Sequence, residues 1–278
     1  VRANPLPTYP RNLIEFQQMF PDDAACVRYL AEVRWPNGFT CPACGVRDYP
    51  YVIATRGLLE CRACRHQTSV TAGTIMHRTK QPLRVWFWGA YLVATSTPGL
   101  SALEFRKQLG IGRYETAYML LRKLREGMTR LNQDKIGGEY PVELDIAYVG
   151  GVNRGEGRGK TRKALVIIGV EMREGTPPKN LREKKQRFYA GRLRMRKIPD
   201  KKAVTVEKFV QDWTEPGSVV LSDADQSYMG LNELGYVHEW LVTKKNKEVI
   251  ESWVPLVHLV ISNLKAWLLG TYHGAVRK

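Results

Sequence analysis

Four cysteines constrain this chain more tightly than any other feature. They form two pairs within CPACGVRDYPYVIATRGLLECRAC, Cys41 with Cys44 and Cys61 with Cys64, with sixteen residues between the pairs. A Cys-x-x-Cys turn aims two thiolates at one point and lets its own backbone amides face the sulfurs. Two such turns, with the short β-rich segments YPYVIAT and GLLEC between them, make the pattern of a zinc ribbon. A redox Cys-x-x-Cys is expected as a single copy in a thioredoxin-like context, which is not the pattern here. Protein fills all four positions of a tetrahedral Zn2+, so the ion reads as structural, with no position open for water. The fifth cysteine, Cys26, lies in DDAACVRYLAEVRW, an expected helix, and reads as a small core residue. His66, just after Cys64, reads as a surface residue.

The ribbon and the helix ahead of it are assigned to residues 1–80. From 81 to 135 the periodicity is helical. QPLRVWFWGAYLVATS is apolar enough for a buried helix, with Pro82 at its first turn. LSALEFRKQLG follows, with Ser101 as N-cap and Gly110 as the stop. IGRYETAYMLLRKLREGM is amphipathic, with Ala117, Leu120, Leu121 and Leu124 turned inward. Two helices joined by GIGR read as a helix-turn-helix. In that reading Arg113, Tyr114 and Glu115 begin the recognition helix, and Arg122, Lys123 and Arg125 carry its positive charge along DNA. A plain three-helix bundle with a solvated face has the same pattern.

Charge points the same way. The 278 residues hold 43 Lys and Arg against 27 Asp and Glu, a formal net charge of +16. Residues 151–200 alone carry fifteen basic against five acidic side chains, among them Arg158, Lys160, Arg162 and Lys163. Such a local excess fits a polyanion such as double-stranded DNA. The glycine-rich GGVNRGEGRGKTRK lacks the spacing of a phosphate-binding loop and reads as an arm that orders on DNA. No apolar run approaches the roughly 20 residues that span a bilayer, and the N-terminus has no secretion-signal pattern. A cytoplasmic location with no membrane partner is the expectation.

Residues 136–278 read as three strands followed by alternating helices and strands, an α/β mixed sheet in ribonuclease-H-like order. The first strand, VELDIAYV, contains Asp145. A carboxylate in a half-buried strand needs a partner or a metal. SVVLSDADQSY supplies Asp223 at the end of another apolar strand, while Asp225 suits the N-cap of a helix over QSYMGLNELG. Two converging carboxylates with divalent cations between them make a two-metal site, for which Mg2+ (or Mn2+) is the natural ion.

With these residues in view the chain resembles bacterial insertion-sequence transposases of the DDE superfamily, in the branch with an N-terminal zinc ribbon. The resemblance rests on CPACG and CRAC, TSVTAGTIMHRTKQPL, VELDIAYVGG, LSDADQSYMGLNELGY and VHLVISNLKAWLLGTYHG. It implies that Asp145 and Asp223 are the first two catalytic acids. It implies cleavage at the terminal inverted repeats of the element and attack of the freed 3′-hydroxyl on target DNA. It also implies a homodimer or higher oligomer on DNA, in a bacterial, nucleoid-associated setting. Where relatives commonly place an acid directly after the first aspartate, this chain has Ile146. Relatives continue past GTYHG with another basic, aromatic helix, so a truncated C-terminal end is expected. Both departures leave a second reading: a DNA-binding regulator whose catalytic fold has decayed.

The third ligand is open between two residues. Glu248 and Glu251 precede Pro255 and belong to an earlier turn. His258 stands thirty-five positions after Asp223 and seven before Lys265, so His258 and Lys265 share a helical face, the family's spacing between its glutamate and a DNA-contacting lysine. Asn263 is the other candidate: relatives often carry asparagine, and an amide oxygen suits Mg2+ better than imidazole does. His77, His238 and His273 carry no usable pattern.

Overall fold

The computed structural model describes residues 8–97, 99–129, 133–150, 163–175, 188–241 and 254–272. Two compact units result, Val1–Ser96 with Leu100–Thr129, and Thr97–Gly99 with Arg130–Lys278.

The first unit begins with helices α1 (Leu13–Met19) and α2 (Asp23–Arg34). Their N-caps are Asn12 and Asp22, which accept the Glu15 and Ala25 amides at 2.9 and 2.8 Å and so satisfy donors with no partner inside the helix. A small antiparallel sheet follows, β1 (Tyr51–Ile53), β2 (Leu58–Glu60) and β3 (Gln67–Thr68). Helix α3 (Leu83–Thr95) starts after Pro82, which offers no capping side chain; instead Asp23 accepts the Leu83 and Arg84 amides at 3.2 and 2.8 Å. Ser101 caps α4 (Ala102–Gln108), Gly110 ends it at φ +62°, and α5 (Tyr114–Gly127) follows. Ala117, Leu120, Leu121 and Leu124 of α5 pack with Phe105 of α4 and Trp86 of α3, the inward face expected from their spacing. Cys26 is fully buried beside Phe16, Phe20 and Leu83, and burial pushes its thiol up to about 11, as suits an inert core residue.

The second unit is built on one sheet. In chain order its elements are β4 (Val142–Val149), β5 (Ala164–Glu174), β6 (Phe188–Ile198), α6 (Ala203–Trp213), β7 (Val219–Asp223), β8 (Val237–Leu241) and α7 (Pro255–Tyr272). The strand order is β6-β5-β4-β7-β8. The first three pair antiparallel, while β7 and β8 run parallel to β4. This is the ribonuclease-H-like mixed sheet expected from the element order. Helices cover both faces. On one side Val206, Phe209 and Val210 of α6 meet Leu144, Ile146 and Val220. On the other, Leu256, Val257 and Ile261 of α7 meet Ala147, Val149 and Leu221. Strand alternation in β4 therefore sends Leu144 and Ile146 to α6, and sends Glu143, Asp145 and Ala147 to α7.

One expected helix is shorter than its sequence promised. QSYMGLNELG forms only a 3-10 helix over Gln226–Leu231, capped by Asp225. Tyr228 and Leu231 stand three apart, the repeat of a 3-10 helix, and both are buried in the α6-facing core. Packing of that pair overrides the propensity for a longer α-helix.

Glu171 of β5 is fully buried and ties that strand to the edge strand β6. It lies 2.7 Å from Arg173 Nη2 and 2.6 Å from Arg192 Nη2, and it accepts the Gly137 and Arg192 amides. Burial opposes its charge, but the two guanidinium groups hold the carboxyl down to about 2. The stabilisation from this depressed value is complete above about pH 4.5, the unfolded value, and is lost as pH falls toward 2. We expect Glu171→Gln to lower unfolding free energy at pH 7 by ~3 kcal/mol in urea titrations. The gap from wild type should narrow between pH 4.5 and 2; a gap independent of pH there would remove the ion cluster as its source.

Candidate active site

Register brings the two aspartates together. Val142 pairs with Val220 and Glu143 with Leu221 across parallel strands β4 and β7. Counted two residues beyond the last paired position on each strand, Asp145 corresponds to Asp223. Both lie on the face covered by α7, because Asp145 shares the parity of Ala147 and Asp223 that of Leu221. Asp145 is half-buried, and its Oδ1 accepts the Ile146 amide at 2.6 Å. Asp223 accepts the Asp225 amide at 3.3 Å. Its carboxyl is raised above the usual range, first by burial and then by the negative charge of Asp145. Two carboxylates that repel in this way are a fit place for a cation.

Helix α7 completes the face. His258 Nε2 stands 3.4 Å from Asp145 Oδ2. Asn263 is exposed further along α7, and Lys265 is exposed as well. Among the described residues, Asp145, Asp223 and His258 do not close into a tight ligand shell; the four cysteines are the group of three or more such side chains whose ligand atoms all lie within 4.8 Å.

Those cysteines hold the second candidate metal position. Cys41 Sγ is 3.6 Å from Cys64 Sγ, and Cys44 Sγ is 3.7 Å from Cys61 Sγ. A tetrahedron with Zn–S bonds of about 2.3 Å has edges of about 3.8 Å, so the spacing fits Zn2+. The Cys44 and Ala43 amides hold the Cys41 thiol down to about 6. Cys64 is pushed up to about 12: the His66 amide favours its thiolate, but the Cys44 thiol and burial outweigh it. Four thiolates cannot share this space without a cation to offset them.

Against known families, residues 135–278 match the ISXO2-like transposase domain and residues 21–67 match the transposase zinc-ribbon domain. The first match alone covers more than half of the chain. The chain belongs to the ISXO2-like transposase family. Over 134 residues it is 27% identical to an uncharacterized protein in transposable element ISH50 of Halobacterium salinarum, covering 47% of this chain and 43% of that protein. It therefore spans less than half the length of that curated relative. The catalytic core domain of BIV integrase aligns at 14% identity with a TM-score of 0.26, over 50% of this chain and 90% of that one. Among the described residues no helix is long and apolar enough to cross a membrane.

The transposase chain distributes its expected DNA-facing residues unevenly. Arg113 is exposed at the start of α5, and the exposed Tyr114 ring stacks on Tyr118 with centroids 6.2 Å apart. Arg122 pairs with Glu126 at 2.8 Å on an exposed face. Lys123 lines a groove with His77, Arg78, Lys80 and Glu115. Arg125 donates to the Leu100 carbonyl at 2.8 Å and so ties α5 to the entry of α4. Lys163 is exposed at the start of β5. Arg158, Lys160 and Arg162 lie outside the described residues, as do Glu248, Glu251 and His273.

Three residues near the aspartates are not singled out by sequence pattern. His238 is buried on β8, and its Nε2 meets Ser222 Oγ at 2.8 Å, while Ser222 donates to the Asp223 carbonyl. That pair fixes the end of β7 where Asp223 sits. Lys201, just ahead of α6, favours the charged form of Asp223. Glu143 is fully buried, and its Oε2 accepts the Val257 amide at 2.8 Å. Burial pushes its carboxyl up to about 7 against the hydrogen bonds from Val257 and Leu256. Only Glu143 leaves a trace in the sequence: it shares the strand parity of Asp145.

Proposed function

We propose that this transposase cuts DNA at the terminal inverted repeats of its element and joins the freed 3′-hydroxyl to target DNA. The observation that supports the reading is the β4–β7 register, which extended by two residues matches Asp145 with Asp223, with the His258 ring 3.4 Å from Asp145. Asp145 and Asp223 would hold Mg2+ or Mn2+ through their carboxylates, with His258 as third ligand through Nε2. Bound there, the ions would supply Lewis-acid stabilisation of the charge that develops on the phosphate and would raise the acidity of the attacking hydroxyl. His258 is preferred to Asn263 because its ring reaches Asp145, while five residues of α-helix turn Asn263 about 140° away. Lys265, two turns beyond His258, would bind a phosphate oxygen beside the carboxylates. The zinc ribbon and the α4–α5 pair would read the repeat, with Arg113, Tyr114, Arg122 and Lys123 facing it. Lys163, with Arg158, Lys160 and Arg162, would hold the backbone and make binding strongly dependent on salt. Joining two ends calls for a homodimer or higher oligomer.

The test is cleavage of a labelled duplex carrying the end of the element, with and without Mg2+ or Mn2+. We expect metal-dependent nicking at the end. His258→Ala should lower the rate by about 10²- to 10³-fold, and Asn263→Ala by less than about threefold. The reverse order would transfer the third position to Asn263. A chain that binds the end in every buffer and never cuts it would be the decayed DNA-binding regulator instead.

A further inference from the structure

We propose that Glu143 is a positioning residue that fixes His258 against Asp145 by closing the N-terminus of α7 from the centre of the sheet. The proposal rests on the reading of His258 as a ligand. Helix α7 begins at Pro255, so its N-cap position is Val254, a buried residue with no hydrogen-bonding side chain. The second and third residues of the helix, Leu256 and Val257, carry amides that a polar N-cap would ordinarily take. Glu143 takes the second of them instead, 114 positions earlier in the chain, with Val257 N at 2.8 Å from Oε2, and the Leu256 amide adds to the field that favours its charged form. The next residue of the helix is His258, 3.4 Å from Asp145.

The arrangement ties both ends of the His258–Asp145 contact to one strand. Glu143 and Asp145 are two residues apart on β4 and point to the same face. One grips the start of α7 and the other meets the first ring that α7 presents. A small slide or rotation of α7 would move that ring off the carboxylate, and a directional hydrogen bond at the start of the helix adds to the apolar packing that resists it. The directional hydrogen bond from the Val257 amide pins the first turn of α7 to β4. α3 shows a similar solution: its N-cap, Pro82, has no capping side chain, and a distant carboxylate, Asp23, takes its first two amides. A glutamate buried only for stability would be out of place on the sheet face that carries Ala147, Val149 and Leu221, where an apolar residue packs at no cost in desolvation.

The experiment uses the full chain with Glu143→Gln, Glu143→Asp, and Glu143→Asp combined with Val254→Thr. Glutamine keeps an acceptor at the right reach. Aspartate keeps the charge but is one methylene short of the amides. Threonine at 254 supplies a local N-cap of nearly the same shape as valine. Three readouts are taken: hydrogen exchange at Leu256 and Val257, the His258 ring resonances, and end cleavage beside end binding. For Glu143→Asp we expect faster exchange by at least about tenfold, displaced ring resonances, and cleavage lowered about 10- to 100-fold. End binding should stay within about twofold. Glu143→Gln should stay within about threefold of wild type, and Val254→Thr should restore most of what Glu143→Asp loses. Wild-type exchange and wild-type ring resonances in Glu143→Asp would overturn the proposal. The first two readouts need neither DNA nor metal. A wild-type chain that does not cut would defeat the functional reading alone, while exchange and ring position would still decide the role of Glu143.

Discussion

Asp145→Asn should fold, bind the end of the element, and cut it at least about a thousandfold more slowly, on the order of 4 kcal/mol in the barrier. The change is nearly isosteric. The amide oxygen can still accept the Ile146 N–H that Asp145 holds at 2.6 Å. What disappears is one negative charge beside Asp223. In the metal-free chain that loss is favourable, because the Asp145 charge is one of the causes that raise the Asp223 carboxyl. The Asp223 value should therefore move back toward the usual range in the variant, and thermal stability without metal should be equal or slightly higher. With Mg2+ the sign reverses, since two anions hold a divalent ion far better than one anion and an amide. A variant that cuts within about tenfold of wild type would place the metal chemistry elsewhere.

Loss of zinc should unfold the ribbon. Its own core is small: Phe39, Cys41 and Cys61, with Trp35 and Leu59 against them. Two of those three buried residues are themselves expected ligands, so little apolar burial remains to offset the ordering of the loop when the metal leaves. Structural zinc sites of this kind contribute about 10 kcal/mol or more of apparent folding free energy. We expect one zinc per chain by elemental analysis. Chelation or Cys44→Ser should open residues 39–68 to proteolysis while the sheet of the second unit keeps its protection. End binding should fall by at least about a hundredfold. A Cys44→Ser chain that retains zinc and resists the protease would show that the four sulfurs are not a closed site.

Much of the fold and part of the site are legible in the amino-acid sequence. The sulfur quartet, the inward face of α5, the caps at Ser101 and Asp225, and the strand-helix order follow from spacing and side-chain chemistry within a few residues. So does the suspicion attached to Asp145, because a charge in an apolar strand is conspicuous wherever the strand ends up. The 3-10 turn at Gln226–Leu231 is not legible, since packing of Tyr228 and Leu231 against α6 decides it. His238 is unreadable for a related reason: its partner, Ser222, belongs to a neighbouring strand.

The division has one physical basis. Sequence by itself determined the family, the cysteine quartet that could hold a metal, and the two aspartates as candidates, because these depend on local spacing and on residue types that have few other uses. Tertiary structure alone decided that β4 pairs with β7 in parallel with Glu143 opposite Leu221, that the His258 ring lies 3.4 Å from Asp145, and that Glu143 accepts the Val257 amide of the helix carrying His258. Strand register and helix rotation are set by packing between segments up to about a hundred residues apart, and no local pattern encodes them.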